Sequence, residues 1–176
     1  MTRISLLTLL MAAALPAVPA LAQAPAGIQP YVGLSGGYHD LGSNPIGDDD
    51  GAIGGVYAGV DVPVSGNIVI GVEGNFHLGT NAIDSEYGGA ARLGYRFANG
   101  GLAYVRGGYQ EVNFDLGNLT GIPVPPGGFD DTDGDYLVGI GGEFPLGASG
   151  RTKLRVGVDT IAFDTVRPTV GISFGF

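Results

Sequence analysis

The chain alternates apolar residues with polar residues or glycine, at a period of two, from Tyr31 to its last residue. A period of two places successive side chains on opposite faces of a β-strand, so every such stretch has one apolar and one polar face. Each stretch is about ten residues long, the length of a tilted strand that crosses a membrane. Eight stretches follow this pattern, over residues 29–39, 52–62, 67–78, 87–97, 102–113, 135–144, 153–161 and 166–176.

The connections between these eight stretches differ in length on the two sides of the predicted sheet. Short links over 63–66, 98–101 and 145–152 alternate with connections over 40–51, 79–86, 114–134 and 162–165 that are mostly longer. Short turns on one side and longer loops on the other are typical of outer-membrane barrels, whose long loops face outwards. We therefore predict an all-β fold, an eight-stranded antiparallel up-and-down transmembrane β-barrel.

Residues 1–22 have the pattern of a signal peptide. A basic residue precedes the apolar run Ile4–Leu15, and Ala20–Ala22 has the small–x–small spacing of a signal-peptidase site. A membrane anchor is the alternative, but the apolar run is shorter than the roughly 20 residues of a spanning helix, and prolines follow it. We predict cleavage after residue 22, a barrel domain over 23–176 and a location in the outer membrane of a bacterium.

The composition excludes several classes of function. The chain has no cysteine, which excludes disulfides, cysteine nucleophiles and zinc–thiolate sites. Without Arg3 of the predicted leader, seven of its eight Lys and Arg residues remain against 17 Asp and Glu residues. Nucleic-acid phosphates require clustered basic residues, so this acidic balance predicts no nucleic-acid partner.

Charged residues within the predicted strands lie on the face opposite the aliphatic residues. They are Asp61, Glu73, Arg92, Arg96, Arg106, Glu143, Arg155, Asp159 and Arg167. A soluble lipocalin-like barrel would turn this polar face outwards to water. The polar face also carries many glycines, which leave room for long side chains inside a narrow barrel. We therefore predict that these charges face inwards and form a paired, hydrogen-bonded network that fills the lumen.

Aromatic residues occur near the ends of the strands on the apolar face, at two levels. Tyr38, Phe76, Tyr87, Tyr109 and Tyr136 form one level, and Tyr95, Phe97, Phe144, Phe174 and Phe176 form the other. Two such levels are typical of the aromatic girdles at the interfaces of a membrane barrel. Pro168 lies within the last strand and lacks an N–H for the sheet, so we expect a bulge there.

Catalytic and metal sites are weakly supported. The possible histidine bases are His39 and His77, and Ser35 precedes His39 by four residues along one strand, so the spacing assures no Ser–His pair. The acidic run 130–135 does not have the spacing of an EF-hand loop. A solvated acidic loop is the preferred interpretation, although divalent cations could bridge this run and residues 48–50 to lipopolysaccharide. We predict no enzyme activity, no catalytic residue, no metal ligand and no cofactor.

Three segments carry a resemblance to a known family: Tyr31–Tyr38, Ala91–Phe97 and Thr169–Phe176. The whole predicted domain resembles the small outer-membrane barrels of the OmpA-like, OmpX-like and opacity-protein type, a porin-family barrel for which we expect no periplasmic domain. The resemblance implies that Phe176 and Phe174 belong to the signal read by the barrel-assembly machinery. It also implies outer-membrane lipids and lipopolysaccharide as surroundings.

Two functions remain open. The first is a structural or surface-interaction role of a monomer whose extracellular loops meet an external ligand. The second is a narrow porin-like channel for small solutes or ions. The interior of an eight-stranded barrel is just wide enough for its own side chains, which favours the first. The many glycines on the inner face keep the second open.

Overall fold

The computed structural model describes residues 27–40, 51–80, 83–114 and 132–176; the predicted signal peptide and the acidic residues 48–50 and 130–131 lie outside them. The strands are β1 (Gln29–His39), β2 (Gly51–Ser65), β3 (Ile68–Gly79), β4 (Ile83–Arg96), β5 (Leu102–Phe114), β6 (Thr132–Leu146), β7 (Thr152–Ile161) and β8 (Thr165–Gly175). Each strand pairs antiparallel with the next, and β8 pairs with β1. The predicted eight-stranded up-and-down barrel is confirmed.

The two ends of the barrel differ in their connections. The lower end carries the turns 66–67, 97–101 and 147–151, and each of these turns contains a glycine with positive φ. Glycine adopts this left-handed conformation without the steric cost that a Cβ brings. The upper end carries the connections 40–50, 80–82, 115–131 and 162–164. Among the described residues, no helix has the length and apolar character needed to span a bilayer.

Two upper strand ends differ from the sequence prediction. We predicted a connection over 79–86, but β4 begins at Ile83, and its first residues pair with β5 through a register irregularity between Ile83 and Ser85. Similarly, β6 begins at Thr132 rather than at residue 135. Both segments are rich in acidic residues, which are uncommon in strands, and this composition suggested loops. Inside a barrel, however, the inner face of a strand can be polar without facing water.

The outer face of the barrel is apolar. Nine of the ten predicted girdle aromatics are exposed on the outside, and Phe76 is half-buried where its strand pairs with Tyr87. Aliphatic residues lie exposed between the two levels, among them Val72, Ile140 and Val170. An apolar outside and a polar inside are the arrangement of a barrel in lipid, because a soluble barrel has the reverse.

Pro168 does not form the bulge that we expected. The β7–β8 ladder continues through the pair Val158–Pro168, and on the other side Gly37–Thr169 and Asp40–Val166 keep the same register. Val166 exchanges both backbone hydrogen bonds with Asp40, the residue that follows β1, so Pro168, two residues further along, faces β1. The missing N–H therefore interrupts the β1–β8 ladder locally, and no extra residue is inserted.

Candidate functional site

The lumen contains a continuous set of ion pairs between strands. Five acidic and five basic side chains take part, and we call them the lumen network: Asp61, Glu73, Glu86, Arg92, Arg106, Glu143, Lys153, Arg155, Asp159 and Arg167. The numbers of positive and negative charges are therefore equal. Balanced charges matter here because an unpaired ion in a water-poor interior costs several kcal/mol.

Glu73 on β3 is at the centre of the lumen network. Its carboxylate accepts hydrogen bonds from the Tyr31 hydroxyl at 2.8 Å and from Nη1 of Arg106 at 2.8 Å. Arg155 donates two more, from Nη1 at 2.5 Å and from Nη2 at 3.0 Å. One carboxylate thus connects β1, β5 and β7 across the barrel, and its hydrogen-bonding capacity is largely filled.

The lower part of the lumen network is built on Arg92 of β4. Its guanidinium binds Asp61 in a fork, with Nε 2.7 Å from Oδ1 and a second bond from Nη2 to Oδ2. Its Nη1 donates to Glu143 at 2.8 Å, and Lys153 donates to the other oxygen of Glu143 at 2.9 Å. Fork geometry adds directional specificity to charge attraction, so it fixes Arg92 across the lumen.

The upper part of the lumen network is built on Asp159 of β7. Arg106 binds it in a second fork, with Nε 2.7 Å from Oδ1 and a further bond from Nη2 to Oδ2. Arg167 donates to the same carboxylate from Nη2 at 3.1 Å and also binds Glu86 through Nη1. Nη1 of Arg92 lies 3.8 Å from the Glu73 carboxylate and joins the lower part to the centre. The chain of ion pairs therefore runs from Lys153 near the lower end to Glu86 near the upper end.

Both histidines contact Glu86 at the upper end of the lumen network. Nδ1 of His39 lies 2.9 Å from the carboxylate, and Nδ1 of His77 lies 3.4 Å from it. Nε2 of His77 is 2.8 Å from the Ser35 hydroxyl. Ser35 and His77 face each other across Gly55, which has no side chain to separate them. The sequence did not indicate this Ser–His pair, because it depends on the register of three strands.

The order Ser35–His77–Glu86 resembles that of a hydrolase triad, but Nδ1 of His77 is hydrogen-bonded to the side-chain amide of Asn75 at 3.2 Å rather than to Glu86. The surrounding space is also small. The cavity beside Ser35 and His77 has a volume of about 20 Å³. A space of this size accepts about one water molecule and no ester or peptide substrate. We therefore interpret these contacts as part of the polar packing of the lumen. Within the described ranges, no three His, Asp or Glu side chains are grouped as metal ligands.

Three inward tyrosines stack with two arginines of the lumen network. The Arg92 guanidinium lies 4.5 Å from the ring centre of Tyr31 and 5.0 Å from that of Tyr104. The Arg155 guanidinium lies 4.4 Å from the ring centre of Tyr57 and 5.0 Å from that of Tyr104. Arginine and tyrosine therefore alternate around the lumen, and each contact adds cation–π attraction to the ion pairs. The sequence could have indicated that Tyr57 and Tyr104 face inwards, since both lie on the polar face of their strands.

Inward glycines make room for these side chains. A Cβ atom added to any of five glycines would overlap a tyrosine or aspartate of the lumen: Gly33 with Tyr57, Gly59 with Tyr31, Gly71 with Asp61, Gly139 with Asp159 and Gly141 with Tyr104. The inner face of a small barrel has a fixed width, so a large side chain on one strand requires a small one on its neighbour. Packing thus explains these five inward glycines.

Apolar side chains line the lumen at both ends of the lumen network. Near the upper end Ile53, Ile83, Val112, Leu137 and Ile161 form a buried cluster, which we call the upper apolar layer. Near the lower end Val69 and Leu102 pack with Tyr104. Leu137 shares the parity of Gly139, Gly141 and Glu143, and so is an apolar residue on the polar face of its strand. Its 2% exposure shows that it belongs to the upper apolar layer.

Of the nine residues predicted for the inner network, the structure brings eight together and leaves one apart. Arg96 lies at the lower end of β4 and donates to Oε1 of Gln29 at 2.7 Å. Glu86 and Lys153 were not predicted as members. Glu86 fell in the segment predicted as a loop, and Lys153 shares the parity of Arg155 at the start of its strand. Phe174 and Phe176 are exposed on the outside near the lower end.

Comparisons with known proteins agree with this geometry. A family model described as "Outer membrane protein beta-barrel domain" matches residues 6–176. No curated protein matches the chain.

Solved structures show the same fold. The attachment invasion locus protein Ail of Yersinia pestis, in complex with the heparin analogue sucrose octasulfate, is 11% identical, with a TM-score of 0.53 over 85% of this chain and 97% of that one. Neisserial surface protein A is 15% identical, with a TM-score of 0.52 over 86% and 98%. The N-terminal barrel of Pseudomonas aeruginosa OprF is 10% identical, with a TM-score of 0.51 over 85% and 98%.

Proposed function

This chain belongs to the family of outer membrane protein β-barrel domains, and we propose that it is a plugged barrel with a structural or surface-interaction role. Its family places it in the outer membrane of a bacterium. Phe174 and Phe176 are proposed to serve the barrel-assembly machinery during insertion, after cleavage of residues 1–22. The folded barrel is proposed to be a monomer, surrounded by outer-membrane lipids and lipopolysaccharide.

The filled lumen is the observation that carries this proposal. Ion pairs connect Lys153 to Glu86 through most of the height of the barrel, and apolar side chains lie at both ends of this connection. The cavity beside Ser35 and His77 has room for about one water molecule. A solute would have to break several buried ion pairs to pass, each at a cost of several kcal/mol.

A planar-bilayer recording separates the plugged barrel from the porin-like channel. We expect the refolded protein, checked for folding by the mobility difference between unheated and boiled samples on a gel, to show no steady conductance. Conductance that changes in Arg155→Lys but not in the outward-facing Val170→Ala would show that ions pass through the lumen. That result would replace the plugged barrel by the channel.

The upper end of the barrel is proposed to face outwards, because the long connections of outer-membrane barrels do so. The upper connections contain no Lys or Arg, and their acidic residues are Asp40, Asp48, Asp49, Asp50, Asp115, Asp130, Asp131 and Asp164. The basic residues after the leader lie elsewhere: five in the lumen network, Arg96 beside Gln29 and Arg151 in a lower turn. The surface offered to an external partner is therefore acidic, which favours a cationic ligand.

The acidic outer surface distinguishes this chain from a receptor for sulfated polysaccharides. Although the Yersinia pestis barrel was solved with a heparin analogue, an end without basic side chains has no complement for sulfate. We expect barrels in nanodiscs to bind poly-L-lysine, with affinity falling as salt rises, and to leave heparin unbound. The triple variant Asp48→Asn, Asp49→Asn and Asp50→Asn should bind poly-L-lysine more weakly. Heparin binding at physiological salt would contradict the proposal.

A further inference from the structure

The turn between β7 and β8 has a strained backbone and an exposed aromatic side chain. Ala162 and Phe163 have φ values of 54° and 63°, and the amide of Asp164 donates to the carbonyl of Ile161 at 3.1 Å. Positive φ values at the two central residues of a turn closed by such a hydrogen bond are typical of type I′ turns, in which Asn–Gly is the favoured pair. A residue with a Cβ is disfavoured in this conformation, and a bulky one is an outlier.

The ring of Phe163 lies outside the barrel. At 67% it has the largest exposed fraction among the large hydrophobic residues described in the structure. The ring contacts that of Tyr136, at 5.4 Å between ring centres. Tyr136 belongs to the aromatic level near the upper end of the barrel, with Tyr38, Phe76, Tyr87 and Tyr109. Tyr136 also fixes the turn, since its carbonyl accepts from the amide of Ala162 at 3.0 Å and its hydroxyl donates to the carbonyl of Ala162 at 3.3 Å.

These contacts place Phe163 at the level of the upper aromatic residues, one step beyond the strand. The next residue, Asp164, is charged and exposed, so the turn cannot enter the hydrocarbon deeply. An aromatic ring beside a charged residue, continuous with an aromatic girdle, fits the boundary between lipid headgroups and acyl chains.

We propose that Phe163 is a turn-borne anchor in the polar–apolar boundary of the outer leaflet. Contact with the lipid boundary covers the ring surface that Tyr136 leaves exposed. This contact offsets the unfavourable backbone of the turn, so that the membrane stabilises a conformation that the sequence Ala–Phe alone disfavours. The occupant of this surface is lipid, and no protein partner is needed to cover the ring.

The absence of tryptophan from the chain allows a direct test. In Phe163→Trp the single tryptophan is expected to emit at shorter wavelength than in water. Lipids brominated near the headgroup should quench it more than lipids brominated near the ends of the acyl chains. Vesicles of phosphatidylcholine carrying bromine at either depth supply the two quenchers.

Two further single-tryptophan variants frame the result. Val170→Trp, in the middle of β8 on the exposed outer face, should be quenched most by the deep bromines. Ser149→Trp, in a lower turn, should emit as in water. If Trp at 163 emits as in water and neither lipid quenches it while Val170→Trp is quenched, the barrel is in the bilayer and Phe163 is not an anchor. The proposal would then be wrong, and the outer-membrane assignment would stand.

Discussion

Replacing Glu73 by glutamine is expected to lower the free energy of unfolding by about 3–5 kcal/mol, the usual cost of removing one partner of a buried ion pair. The substitution keeps the size of the side chain and removes its charge. Tyr31, Arg106 and Arg155 all donate to this carboxylate. Without it, two buried guanidinium groups lose a counter-ion and the lumen gains a net positive charge. Urea unfolding of the barrel in lipid vesicles, followed by gel mobility, measures the change.

Two variants control this measurement. Asp164→Asn removes an exposed negative charge at the upper end, and it should change the free energy of unfolding by less than about 0.5 kcal/mol. Adding Arg106→Gln to Glu73→Gln restores the charge balance and should recover part of the loss, since interacting sites are not additive. Recovery should be incomplete, because Arg106 also binds Asp159. Equal unfolding midpoints for Glu73→Gln and Asp164→Asn would contradict a stabilising lumen network.

The strands and their faces could be predicted from the sequence because a barrel preserves the period of two along every strand. In a closed barrel every strand turns one face to the lumen and the other to the outside. Once one residue of a strand is assigned to a face, the alternation assigns all the others. Alternation placed Arg92, Arg106 and Arg155 on one common face, and the glycines on that face, together with the two aromatic levels on the other, indicated that it is the inner one. The strand prediction depended on alternation of apolar and polar residues, and it failed at segments where several polar residues follow one another.

Glu86 and Pro168 show where sequence patterns are insufficient. Glu86 follows Asp84 and Ser85, a polar run typical of loops, and its burial became visible only through its pairing with β5. Pro168 suggested a bulge, but the register shows an interrupted ladder instead. In both cases the structure depends on which residues of the neighbouring strand are paired with the segment, and the sequence of the segment alone does not specify this pairing.

The partners within the lumen network could not be predicted for the same reason. Arg92 and Arg96 share a face of β4, yet Arg92 binds two carboxylates and Arg96 binds the side-chain amide of Gln29. The difference is height: Arg96 lies four residues nearer the lower end of β4 than Arg92. Height depends on strand stagger, which follows from closure of the barrel and not from the pattern of any one strand.

Replacing Gly108 by alanine is expected to lower the free energy of unfolding by about 3 kcal/mol, through overpacking against backbone. A Cβ at Gly108 would overlap the carbonyl oxygen of Gly89 and lie 2.5 Å from Cα of Ala90 on β4. A flexible side chain could move away at small cost, but these atoms belong to a paired strand. Relief would require β4 and β5 to separate, which would disturb Arg92 and Arg106 on the same two strands.

Gly107 provides the matched control, because it precedes Gly108 on the same strand and faces the opposite side. A Cβ at Gly107 would have its nearest contact, the carbonyl oxygen of Leu137, at 3.8 Å, and neither glycine has a positive φ. Gly107→Ala should therefore be neutral or stabilising by up to about 1 kcal/mol, since alanine reduces the entropy of the unfolded chain. Urea unfolding of both variants in the same vesicles measures the contrast. Equal loss in both would mean that strand propensity, and not the width of the lumen, explains the inward glycines.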